Sequence, residues 1–67
     1  MTLKEQIQFV EAMIADQERR AKMCRSDFSP GNSYNSIIQE LAETYERKAQ
    51  GLREVAETLY RYQSLWS

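Results

Sequence analysis

Phe28-Ser29-Pro30-Gly31-Asn32 is the stretch on which the fold turns, because helical periodicity runs up to it from one side and away from it on the other. Pro30 supplies no backbone donor, and Gly31 tolerates the left-handed backbone that a tight reversal needs. Two helices are therefore expected, over residues 2–25 and 33–66, joined by a turn over 26–32 in one domain covering residues 1–67. The expected fold class is all-α: an antiparallel two-helix hairpin with unequal arms, assembling into a four-helix bundle or coiled-coil-like oligomer.

The first arm opens on Thr2-Leu3-Lys4-Glu5, a capping box in which the Thr2 hydroxyl accepts from the Glu5 N–H and the carboxylate reaches back. Leu3, Ile7, Val10, Ile14, Gln17, Ala21 and Cys24 then recur at alternating spacings of four and three. Arg19, Arg20, Lys22 and Arg25 crowd its last turns, where cations suit the negative end of the helix dipole. For the second arm, Asn32, Ser33 or Ser36 can cap the start. Ile38, Tyr45, Leu52, Leu59 and Trp66 lie seven apart, as do Leu41, Lys48, Val55 and Tyr62, and a third line is Ala42, Ala49 and Ala56. Sustained sevens imply left-handed, coiled-coil-like packing. Gly51 costs roughly 1 kcal/mol inside a helix, which a tight crossing or plain tolerance explains equally well.

Folding at Pro30-Gly31 sets expected layers: Cys24 on Tyr34, Ala21 on Ile38, Gln17 on Leu41, Ile14 on Tyr45, Val10 on Ala49, Ile7 on Leu52, and Leu3 on Val55 or Ala56. The arms then measure about 35 and 50 Å, so roughly 15 Å of the second overhangs at its C-terminal end. That tip carries Leu59, Tyr60, Tyr62, Leu65 and Trp66, which are the expected interface residues. Core positions are expected to include Leu41 and Val55, with Gln17 as the neighbour for the Tyr45 hydroxyl.

Composition narrows the function. Nine basic and ten acidic residues give a net charge of −1, so no positive field suited to duplex DNA is expected. Neither arm approaches the apolar length of a membrane span, and Lys4, Glu5 and Gln6 interrupt any signal-peptide core, so the expected compartment is cytoplasmic. The chain has one cysteine and no histidine. Cys24 near a helix C-terminus reads as a small buried hydrophobe rather than a nucleophile. Glu40, Glu43, Glu46, Glu54 and Glu57 lack the histidines of carboxylate metal sites, and they read as a solvated face with Glu43–Arg47 and Glu57–Arg61 pairs. No catalytic residue, metal or cofactor is assigned.

A chain this small with one shared seam needs extra burial, and oligomerisation is the remedy left open. The leading expectation is a non-enzymatic protein–protein interaction module, a homo-oligomer with a protein partner. The alternative is a protein that sequesters a nucleotide or other small anion at the turn end, using Arg19, Arg20, Arg25, Ser33 and Tyr34. Against that alternative, Asp16 can pair with Arg20 and Glu18 with Lys22, leaving mainly Arg19 and Arg25 uncommitted. In outline, without a shared motif, the hairpin resembles small helical accessory proteins of bacteriophages and other mobile elements. That resemblance implies a role in blocking a host factor or sequestering a nucleotide signal, and it assigns no residue a part.

Overall fold

The computed structural model describes residues 1–31 and 33–66, with side chains through Leu65. Two helices, α1 (Leu3–Ser26) and α2 (Asn35–Trp66), pack against each other as an antiparallel hairpin with arms of 24 and 32 residues. Thr2 caps α1, accepting from the Glu5 N–H at 3.2 Å. The Glu5 carboxylate does reach back, but it takes the Thr2 hydroxyl proton at 3.1 Å. At the other end the Ser26 hydroxyl donates to the Met23 carbonyl at 2.7 Å, which also accepts the Asp27 N–H at 3.3 Å.

The connection is longer than the sequence pattern implies. Gly31 takes a φ of +81°, the left-handed backbone that only glycine adopts cheaply. The Asn35 amide donates to the Ser29 carbonyl at 2.6 Å, and its oxygen accepts from the Ser29 N–H at 3.3 Å. This two-point clasp commits Asn35 to the turn, and α2 begins there rather than at residue 33. Among the proposed caps, Asn32 lies outside the described residues.

The register also differs, and the reason is the alanine line. Ala42, Ala49 and Ala56 are 0%, 1% and 4% exposed, so they, rather than Leu41 and Val55, form the surface of α2 that meets α1. Ile7, Val10 and Ala21 are the buried residues of α1. Larger side chains from α1 seat against a ridge of methyl groups, which lets the two backbones come close. The flanks pin the alignment at seven-residue intervals. Glu11, Glu18 and Arg25 on α1 meet Tyr60, Arg53 and Glu46 on α2, including an Arg53 Nη2–Glu18 Oε1 contact of 2.6 Å. On the opposite flank Tyr45 meets Arg20 instead of Ile14.

Relative to the expected layers, α2 is displaced by roughly two to three helical turns. The C-terminal part of α2 is therefore mated with the N-terminal half of α1, which corrects the expected overhang there. Its surplus length lies at the turn end, where Phe28, Tyr34, Ile37 and Leu41 are all exposed.

Candidate functional site

Two sides of α2 carry repeating apolar lines, and only one of them meets α1. The inner side is the alanine line flanked by half-buried Ile38, Tyr45, Leu52 and Leu59. Roughly 130° around the helix, at 100° per residue, Ile37, Thr44, Gly51, Thr58 and Leu65 interleave with Leu41, Lys48, Val55 and Tyr62. These nine positions alternate spacings of four and three along about 42 Å of helix, the pattern of a second coiled-coil seam. Ile37, Leu41, Val55, Tyr62 and Leu65 are 45–80% exposed on it.

The polar members of this stripe suit packing. Thr44 and Thr58 donate their hydroxyls to the Glu40 and Glu54 carbonyls, at 2.9 and 3.1 Å, so covering them strands no donor. The Lys48 ammonium lies 5.9 Å from the centre of the Tyr45 ring, drawn to one side of its own alkyl stem. Gly51 has nothing within 4 Å of where a Cβ would stand. The crossing with α1 therefore gives no reason for a glycine at that point.

Charges on the two flanks of α2 are treated differently. Beside the inner side, Arg53 and Glu46 are engaged by Glu18 and Arg25. Beside the outer stripe run Glu40, Arg47, Glu54 and Arg61, seven apart and alternating in sign. All four are exposed, and among the described residues none forms an ion pair; Arg47 donates to Thr44 Oγ1 at 3.3 Å. Glu43 accepts from Gln39 at 3.2 Å instead of pairing with Arg47, and no Glu57–Arg61 ion pair forms among the described residues.

The expected interface residues separate into three groups. Leu59 is half-buried toward α1, and the Glu11 carboxylate beside Tyr60, together with burial, holds its phenol above the ordinary value of 10.0. Tyr62 and Leu65 lie on the outer stripe. The Trp66 side chain lies outside the described residues.

The three turn-end arginines are occupied by carboxylates. Asp16 accepts from Arg19 at 2.6 Å and from Arg20 at 2.9 Å, and those two bonds hold its carboxyl below the ordinary value of 3.8. Arg25 is engaged by Glu46, and Glu18 by Arg53 rather than Lys22. Ser33 and Tyr34 are exposed in the turn that precedes α2 and are not part of these ion pairs. The Arg20 guanidinium lies 6.0 Å from the centre of the Tyr45 ring, the side chain whose expected neighbour is Gln17, and Tyr45 together with Asp16 raises the Arg20 pKa. Gln17 Oε1 is left buried without a hydrogen-bond partner. Cys24 is a free, half-buried thiol.

Among the described residues no three of His, Cys, Asp or Glu gather in a metal-binding group, and no helix is long and apolar enough to cross a membrane. Comparison with protein-family models, curated proteins and solved structures gives no match.

The sequence displays the outer stripe only in part. Leu41, Lys48, Val55 and Tyr62 are legible as a seven-residue line, but they read as core. Ile37, Thr44, Gly51, Thr58 and Leu65 repeat just as regularly, yet three of the five are small or polar and hide the pattern.

Proposed function

We propose that this chain is a non-enzymatic interaction module, a helical hairpin that acts by docking the outer face of α2 onto another helical surface. The observation that carries this reading is the exposed stripe from Ile37 to Leu65, repeating in fours and threes on a side of α2 that α1 does not cover. The inner side adds weight. Its most deeply buried residues are Ala42 and Ala49, and among the described residues no large side chain is fully enclosed. Two helices joined along so thin a core gain much from further apolar burial, at about 25 cal/mol per Å². The turn-end anion reading draws no support of this kind, since its three arginines already face carboxylates.

A photo-cross-linking residue placed at Val55 tests the docking face, with the same residue at exposed Gln8 on α1 as control. Adducts specific to position 55, to any protein including another copy of this chain, are the expected result. Equal labelling at both positions, or none at 55, would overturn the reading.

A further inference from the structure

We propose that the outer face of α2 binds the same face of a second copy of this chain, antiparallel, with Glu40 against the partner's Arg61 and Arg47 against the partner's Glu54. This rests on the docking role argued above and names its occupant. The charge order carries the argument. In an antiparallel coiled coil the flanking positions that precede each core residue meet their own equivalents from the other helix. Glu40, Arg47, Glu54 and Arg61 read Glu-Arg-Glu-Arg, so a two-fold axis passing close to Gln50 matches every charge with its opposite. By symmetry the two pairings become four.

Sliding the helices by one heptad, in either direction, turns every one of these pairs into Glu–Glu or Arg–Arg. A parallel alignment gains none of them, because the positions that would face these charges are Ile38, Tyr45, Leu52 and Leu59. It also stacks Lys48 on the partner's Lys48. The antiparallel register instead sets large against small in the three central layers, Lys48 over the partner's Gly51, Leu41 over the partner's Thr58 and Val55 over the partner's Thr44, and closes each end with Tyr62 on the partner's Ile37. A single lysine at a core position is a recognised way to fix register, and here its stem crosses the open space at Gly51 while the ammonium turns toward Tyr45. Gly51, which the hairpin itself does not need, thereby acquires a role.

Charge reversal with rescue tests the pairing. Arg47→Glu places two Glu–Glu contacts in the assembly, and Arg47→Glu with Glu54→Arg restores both pairs with their signs exchanged. Sedimentation equilibrium should show a wild-type dimer, an affinity reduced at least about ten-fold in Arg47→Glu, and a return close to wild type in the double variant. Circular dichroism should show the same helix content in all three. A wild-type chain that stays monomeric through the micromolar range, or a double variant as weak as the single, overturns the second-copy assignment. If the chain is monomeric while position 55 still labels a foreign protein, the docking face survives and only its occupant changes. Absence of both self-association and labelling removes both.

Discussion

The inner and outer sides of α2 share a heptad rhythm and solve opposite problems. On the inner side the repeating residue is alanine, the neighbouring helix is close, and the flanking charges are paired within the chain. On the outer side Ile37, Leu41, Val55, Tyr62 and Leu65 are exposed among smaller and polar residues, the glycine is unfilled, and the flanking charges alternate in sign with no ion pair among the described residues. A helix side is thus defined less by how apolar it is than by how close its neighbour must come. The inner side joins two arms already tethered by a short turn, where small residues suffice. The outer side keeps Ile37, Leu41, Val55, Tyr62 and Leu65 exposed, the apolar area that an untethered association requires to offset lost rotational and translational freedom.

The largest expected effect comes from crowding the inner side. Ala49→Leu should lower stability by about 1–3 kcal/mol, since the added methyl groups have no space between the backbones. Val55→Leu is an enlargement on the outer side, and at concentrations that keep chains separate it should leave the melting temperature nearly unchanged. Equal losses in the two thermal melts would erase the distinction between the sides.

Relieving the buried acceptor works in the other direction. Gln17→Met should add about 1–2 kcal/mol by removing an unpaired Oε1 from the seam, as read by urea denaturation. A destabilised variant would mean that the amide is satisfied in solution.

Gly51→Ala sharpens the outer side itself. In separate chains it should stabilise α2 by about 1 kcal/mol, the helix-propensity gain with no steric cost. A loss under those conditions would show that something approaches Gly51 within a single hairpin.

The smallest effect is a pH dependence at the inner flank. The Glu11 carboxylate and then burial raise the Tyr60 phenol, so the folded chain holds that proton more tightly than the unfolded one. Its contribution is complete below the ordinary value of 10.0 and declines as pH rises through the folded value. Spectrophotometric titration should place the Tyr60 step above 10.0, and Glu11→Gln should move it down. An unmoved step would separate Glu11 from Tyr60 and loosen the register deduced for this end.

Much of this molecule is legible in its order of residues. The Thr2–Glu5 cap, the Pro30-Gly31 reversal and two helices of unequal length follow from local chemistry, where one or two residues decide a backbone conformation. The identity of the seam does not follow. Leu41 and Val55 look like a core because they are large, yet they are exposed and α1 seats on the alanines, with Ile38 and Leu52 half-buried at their flank. The register is hidden for a related reason. Arg25 with Glu46 and Glu18 with Arg53 are 21 and 35 residues apart, whereas spacing along the chain points to the nearer Glu18–Lys22, Glu43–Arg47 and Glu57–Arg61 pairs.

By itself, then, the sequence determined that there are two helices, where the chain reverses, and which positions repeat by seven, because these depend on propensity and spacing within a few residues. Only the tertiary structure decided which of those repeats faces inward. That choice depends on how near one helix axis can approach the other, and the approach moved the surplus of α2 to the turn end while leaving its outer stripe open.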